Sequence, residues 1–199
     1  MNGHMLNDLT SPLSLLETRR SGRPREMVAP GPSEEELRRI LNIAMRVPDH
    51  GKLSPWRFVV VRKDQREHLA VLLHKALQAH DECAGPAHHE KEDEFARQGE
   101  SLVVVISSPI PEHKIPVWEQ QLSAGAAAMN LLSAVHAMGY VGGWITGWRA
   151  YSPMVNAAFA EPGERIAGFI FIGKPGRELE ERLRPDPARI VKKWAQPVD

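Results

Sequence analysis

Two arginines followed by a serine, Arg19 to Ser21, form the first group of side chains with an evident chemistry. A guanidinium group can bind two oxygens of a phosphate at once, and a serine hydroxyl can donate a further hydrogen bond. The same residues stand at the end of an expected first helix, where cations complement the helix dipole. Spacing alone favours that second explanation, so a phosphate site here is an alternative that the sequence leaves open.

Arg46 and His50 form a second polar group, on either side of Pro48. A helix end followed by a rigid proline turn can direct both side chains toward one ligand. Helix-end charge and a surface histidine are the plainer explanation, and spacing alone favours it. Asp49 is interpreted as a turn or capping residue, because neighbouring side chains in an extended turn point apart and Asp49 and His50 would not form a catalytic pair.

A third group lies between glycines, in the sequence GGWITG from Gly142 to Gly147. Glycine allows a ligand to approach the backbone, whose N–H groups can then donate to that ligand. The alternative is a strand that contains a bulge.

Motifs for metal or nucleophilic chemistry are absent from the sequence. His68, His74 and His80 are six residues apart and so point in different directions on a helix, whereas helical zinc sites use a spacing of four. There is no GxSxG, P-loop, HExxH or CxxC pattern, and nothing around Cys83 marks it as a nucleophile. We therefore expect no metal site and no catalytic side chain, and an enzyme of this kind would take its chemistry from a cofactor.

The composition indicates a globular protein. The chain has 199 residues, of which 42% are hydrophobic, and its 25 basic and 25 acidic residues cancel to zero net charge. Such a balance gives no basic field for nucleic acid. A single cysteine, no long apolar run and no signal-like N-terminus lead us to expect a cytoplasmic protein with one domain over residues 1–199.

The expected secondary structure mixes helices and strands without a regular βαβ alternation, which favours an α+β fold with a small sheet flanked by helices. A first helix starts after Ser11 and ends near Gly22, and Ser33 and Glu36 form a capping box for the second. The apolar tail residues Ile190, Val191 and Trp194 are expected to pack on another surface. The remaining expected elements are strands at 56–62, 102–107 and 165–175, a short glycine-broken strand near 140–148, and helices from about 64, at 117–138 and from 153.

Four segments in this order resemble the nitroreductase family of FMN-dependent NAD(P)H oxidoreductases, and most closely its minimal single-domain branch. They are RRS, ILNIAMRVPDHGKLSPWRFVVV, KIPVWEQQLSAGAAAMNLLSAVHAMGYVGGWITG and IAGFIFIGKP. The resemblance implies a central, mostly antiparallel sheet flanked by helices, in an intertwined homodimer with FMN at the subunit interface. It also implies NAD(P)H as electron donor, a nitroaromatic or quinone-like acceptor, and ping-pong hydride transfer through flavin N5.

The resemblance assigns roles to the three polar groups. It places the FMN phosphate and ribityl chain on Arg19, Arg20 and Ser21. It has Arg46 and His50 reach the flavin from the partner subunit, and it sets Trp144, Ile145 and Thr146 along the isoalloxazine ring.

Further features of the resemblance leave alternatives open. The segment 134–139 matches one linked with nicotinamide binding, although ordinary core composition explains it equally well. Lys52 and Ser54 replace an asparagine and a glutamine that many members carry. A flavin enzyme of other chemistry, such as reductive dehalogenation or flavin breakdown, and a non-enzymatic flavin-binding protein both remain open.

Overall fold

The computed structural model describes residues 5–194 of the chain. Within that range the strands are β1 (Met27–Val28), β2 (Trp56–Val61), β3 (Ser101–Ser107), β4 (Val141–Ile145) and β5 (Arg165–Pro175). The helices are α1 (Pro12–Thr18), α2 (Glu34–Ala44), α3 (Arg66–His80), α4 (Pro86–Arg97), α5 (Val117–Ala137), α6 (Trp148–Tyr151), α7 (Pro153–Phe159) and α8 (Pro187–Ile190). Two short 3-10 turns, Pro24–Glu26 and Lys63–Gln65, precede β1 and α3.

The strands form one antiparallel sheet centred on β5. β5 pairs with β3 on one side and with β4 on the other, β2 pairs with the far side of β3, and β1 pairs with the C-terminal end of β5. The expected α+β fold with an antiparallel sheet is confirmed.

Helices cover both faces of this sheet, because side chains alternate between the faces along each buried strand. On β5, Phe169 and Phe171 contact the layer built from α3, α4, α6 and α7, whereas Ile170 and Ile172 contact α2 and α5. The two apolar clusters therefore lie on opposite sides of the sheet, and both are needed to bury the middle of β3 and of β5.

The long helix α5 has one face on the sheet and one that is uncovered within the chain. Its inner face is rich in alanine, which allows the helix to pack closely on the strands. On its outer face, Trp118, Leu122 and Met129 are 67%, 54% and 38% exposed. Their spacing places them on one side of the helix, and we refer to these three residues as the α5 stripe.

The first helix ends earlier than the sequence predicts. It stops at Thr18 rather than near Gly22, because the chain beyond it finds other hydrogen-bond partners. The side chain of Asn7 pairs with both main-chain groups of Arg20, at 2.7 and 3.0 Å, and the Gly22 N–H donates to the Gly142 oxygen at 3.2 Å. These bonds hold the arginine segment in an extended conformation.

The apolar residues of the C-terminal segment are uncovered within the chain. Ile190, Val191 and Trp194 do not pack on their own chain, where they are 68%, 70% and 84% exposed.

No helix within residues 5–194 combines the length and the hydropathy needed to span a bilayer.

Candidate functional site

The segment Arg19 to Ser21 lies beside β4, on the edge of that strand that points away from β5. The Arg19 Nη1 donates to the Ser21 hydroxyl at 3.1 Å. Both main-chain polar groups of Gly142 point toward this edge, since its oxygen accepts from Gly22 at 3.2 Å and its N–H donates to His136 at 3.4 Å. The first and third sequence-predicted groups are therefore neighbours in the fold.

Positive charge is concentrated around Arg19. The Arg184 guanidinium reaches back from the C-terminal segment and donates to the Arg19 main-chain oxygen at 3.3 Å. Partial burial lowers the pKa of Arg19, and the positive charges of Arg184 and Arg20 lower it further, whereas Glu181 opposes them. A cluster of guanidinium groups that repel one another is a suitable receptor for a phosphate.

The two glycines at the start of β4 serve the packing of the fold. A Cβ atom on Gly143 would lie 2.7 Å from the Gly22 oxygen and 3.1 Å from the Pro24 ring. Only a glycine allows the chain after Arg20 to lie so close to the strand. Gly147 differs, because its φ is +68° and a Cβ there would meet nothing within 4 Å. Within the GGWITG segment, the backbone with free space beside it for a ligand is therefore at the C-terminal end, at Gly147.

Trp144 is held by the sheet. Its indole Nε1 donates to the Ala167 oxygen at 3.1 Å, and the ring covers Gly168, where a Cβ would come within 2.0 Å of Nε1. The next two residues, Ile145 and Thr146, are half-buried. Trp144 is therefore fixed near the end of β4, the strand that the arginine segment contacts through Gly142.

Behind this stretch, a buried ion pair fixes the helix that follows Gly147. The Arg149 guanidinium on α6 forms two hydrogen bonds with the Glu92 carboxylate on α4, at 2.5 and 2.6 Å, and Glu92 is only 3% exposed. The same guanidinium lies 4.1 Å from the centre of the Phe95 ring. The pair holds the end of the Trp144–Thr146 stretch against α4.

The loop between α2 and β2 is shaped by Asp49, as predicted. Its carboxylate accepts hydrogen bonds from the main-chain N–H groups of Leu53 and Ser54, at 3.0 and 2.9 Å. These bonds stabilise positive φ angles at Lys52 and Ser54, where a side chain is unusual. The predicted start of a buried strand at Trp56 is also confirmed.

His50 and Arg46 point into solvent from this loop and from the end of α2. Both are exposed, and the His50 Nδ1 lies 2.8 Å from a carboxylate oxygen of Glu119 in the first turn of α5. Arg19, in contrast, is near His136 in the last turn of α5. These turns are about 25 Å apart along the helix at 1.5 Å per residue, so one chain does not bring His50 to the arginine segment.

His136 connects α5 to β4, and no sequence motif marks it as a functional residue. It is fully buried, its Nδ1–H donates to the Leu132 oxygen at 2.6 Å, and its Nε2 accepts from Gly142. Burial lowers its pKa to about 4, the charge of Arg19 adds to the effect, and the bond to Leu132 opposes it. In the segment linked with nicotinamide, Ala134, Val135 and His136 are thus all buried.

We expect His136 to make the protein less stable in mild acid. Its pKa is about 4 in the folded chain and near 6.5 in the unfolded chain, so on acidification the unfolded chain binds the proton first. Stability from the neutral ring is complete above pH 6.5 and is lost progressively as the pH falls to 4, by about 3 kcal/mol.

Urea unfolding of the wild-type protein and a His136→Asn variant between pH 4 and 8 measures this effect. The difference in unfolding free energy between the two proteins should shrink as the pH falls. A difference that is constant with pH would show that His136 does not titrate in this way.

Comparison with known proteins gives consistent matches over most of the chain. The model of the Nitroreductase family matches residues 16–174. The Escherichia coli protein named "Putative NAD(P)H nitroreductase YdjA" is 34% identical over 185 residues, which cover 90% of this chain and 97% of that protein.

Two solved structures show the same fold. The nitroreductase-like family protein of Bacillus cereus superimposes with a TM-score of 0.78 at 21% identity, over 92% of this chain and 96% of that one. The NADPH:FMN oxidoreductase of Vibrio harveyi, in complex with NAD+, has a TM-score of 0.69 at 16% identity, over 94% and 79% of the two chains.

Proposed function

The chain belongs to the nitroreductase family, and we propose that it transfers hydride from NAD(P)H through bound FMN to nitroaromatic or quinone-like acceptors in a ping-pong cycle. The observation that carries this proposal is the guanidinium cluster of Arg19, Arg20 and Arg184 beside β4. When bound, FMN supplies the redox chemistry, because its N5 atom accepts and returns hydride. The protein supplies binding, orientation and charge.

The residues at β4 fit the polar end of FMN. Arg19 and Ser21 already contact each other and can share a phosphate, to which they would donate charge-assisted hydrogen bonds. The Arg20 Nε donates a hydrogen bond to the main-chain oxygen of Glu180 at 2.7 Å. Arg20 therefore also fixes the C-terminal segment that carries Arg184. Arg184 is an addition to the sequence-predicted set and would neutralise the same anion.

The ring system of FMN would lie along Trp144, Ile145 and Thr146, with main-chain N–H groups near Thr146 and Gly147 available to it. Fixed backbone donors next to a reacting atom are an effective form of electrostatic stabilisation, since they need no reorganisation. The buried Arg149–Glu92 pair keeps this backbone in place. No side chain is required to act as a general acid or base.

Arg46 and His50 would contact the flavin that the other subunit holds. The exposure of both side chains, and the distance of His50 from Arg19 within one chain, support this arrangement. Glu119 binds the Nδ1 of His50, which directs the Nε2 of the imidazole outward. Glu119 thus orients His50 for a ligand outside its own chain.

The α5 stripe is the surface through which a second copy would bind. Trp118 and Leu122 are large, exposed and apolar, and apolar area of this kind is stabilised by burial in a homodimer. The stripe is on the helix that carries Glu119, so the same interface would bring His50 to the partner. Each site would therefore need two chains.

Anaerobic mixing with NADH or NADPH tests the proposal. The purified protein is expected to be yellow or to gain flavin absorbance with added FMN, and either nicotinamide should bleach that absorbance rapidly. Initial rates with varied donor and acceptor should give the parallel reciprocal plots of a ping-pong cycle. A protein that binds no FMN, or bound FMN that no nicotinamide bleaches, would contradict the proposal.

A further inference from the structure

A pair of histidines joins α3 to α4 and includes no residue of the proposed flavin site. The His74 and His89 Nδ1 atoms are 2.6 Å apart. The ring centroids are 4.8 Å apart and the ring planes differ by 9°. A short nitrogen contact combined with this longer centroid distance means that the two rings meet edge to edge in nearly one plane.

The proton positions follow from a third residue, Asp93. The His74 Nε2 lies 3.0 Å from a carboxylate oxygen of Asp93, which accepts a hydrogen bond from it. His74 therefore carries its proton on Nε2, and in the neutral pair its Nδ1 accepts from the Nδ1–H of His89. If that proton moves to the His89 Nε2, the Nδ1 atoms of His74 and His89 each have a free lone pair, and both lone pairs point into the space between the two rings.

We infer that His74 and His89 form a binding site for a divalent first-row transition-metal cation such as Zn²⁺, with Asp93 as the carboxylate that orients His74. Imidazole nitrogen is a preferred ligand of such cations, and a metal-binding histidine commonly donates its other N–H to a carboxylate. The cation would take the place of the proton between the two Nδ1 atoms.

The geometry requires only a small adjustment. Zinc–nitrogen bonds of about 2.0–2.1 Å in a tetrahedral site set two nitrogens roughly 3.3 Å apart, so the rings would separate slightly and water would complete the ligand shell. His74 and Asp93 have side chains 31% and 35% exposed, which leaves a path from solvent. Among residues 5–194 no three His, Cys, Asp or Glu side chains converge as a ready metal cluster, so the site has two protein ligands.

The charges around the pair are mixed. Arg97 contacts Asp93 at 3.4 Å and forms a bidentate pair with Glu67 on α3, so its charge is largely compensated. The helix that carries His89 contributes further carboxylates in its sequence HHEKEDE. A bound cation would connect α3 to α4, and ligand binding to the folded state raises its stability.

Calorimetric titration of the metal-free holoprotein with ZnCl₂ tests the inference. Wild type should bind one Zn²⁺ at this site, and its melting temperature should rise with Zn²⁺ concentration. His74→Ala and His89→Ala should each weaken binding at least tenfold, and Asp93→Asn by roughly 10- to 100-fold, as expected for a residue that orients a ligand. His68→Ala, on an exposed part of α3, is the matched control and should bind as wild type does.

Flavin content and circular dichroism establish that each variant is folded, and NMR of the imidazole nitrogens provides a second measurement on wild type. Zn²⁺ should shift the Nδ1 resonances of both His74 and His89 toward those of metal-bound imidazole. The inference is wrong if wild type shows no saturable binding, or if a His74→Ala/His89→Ala double variant retains the wild-type affinity. Neither outcome would bear on flavin binding, so this test is independent of the proposed function.

Discussion

Replacement of Leu122 by aspartate is expected to give a colourless monomer. The residue is 54% exposed in the middle of the α5 stripe, and in the proposed homodimer it lies where two copies of α5 meet. A symmetric interface would bury the new charge twice. Removing each unpaired carboxylate from water costs several kcal/mol, so association should fail, and each chain would lose the His50 and Arg46 that its partner provides.

Light scattering coupled to gel filtration measures the mass, and the flavin absorbance of the same peak measures the FMN content. Val71→Asp is the matched control, because Val71 is an equally exposed apolar residue on α3, at 53%. The control should remain dimeric and yellow. A Leu122→Asp protein that elutes as a flavin-loaded dimer would refute the α5 stripe as the interface.

Replacement of Arg19 by alanine is expected to weaken FMN binding without destabilising the apoprotein. Loss of one charged hydrogen bond to phosphate costs about 1.5–3 kcal/mol, or roughly 10- to 150-fold in affinity. In the apoprotein, however, burial lowers the pKa of Arg19, and repulsion by Arg184 and Arg20 lowers it further. The variant should therefore melt at the wild-type temperature or slightly above it.

Riboflavin makes this experiment specific, since it has the same ring and ribityl chain but no phosphate. Titration of the apoprotein, followed by flavin fluorescence, should show a large loss of FMN affinity in Arg19→Ala and little change for riboflavin. Arg62→Ala removes an exposed arginine that pairs with Asp64 and should change neither affinity. Equal losses for both flavins would mean that Arg19 does not bind the phosphate.

The sequence predicted the elements whose signals are local. The capping box of Ser33 and Glu36 starts α2 as expected, with both reciprocal hydrogen bonds present. The apolar run from Arg165 to Pro175 is β5 with the predicted bounds. Such signals depend on neighbours within one helical turn or one strand, so they can be interpreted without knowledge of the fold.

The end of α1 could not be predicted in this way. The cations and the glycine after Thr18 indicate a longer helix, but Asn7 and Gly142 bind the main chain there instead. Gly142 is remote in sequence, and nothing around the arginines reveals it. Long-range hydrogen bonds thus override the local preference.

The sequence indicated which residues form the candidate site, but it indicated only some of the contacts between them. The arginine segment and the GGWITG segment are separate motifs in the sequence, and the fold makes them neighbours. The partners of the selected residues were missed, because they come from distant parts of the chain. Glu119 is 69 residues from His50, Arg184 is 165 residues from Arg19, and His74 meets His89 across two helices rather than along one.

The loop that Asp49 closes has a consequence for the entropy of association. Its two hydrogen bonds hold Lys52 and Ser54 in backbone conformations that non-glycine residues rarely adopt, at a cost of roughly 1–3 kcal/mol each. That cost is part of the folding free energy of each subunit, so the loop is already ordered before the subunits associate. A second subunit can then bind a surface that is already ordered, and more of the interface free energy remains as affinity.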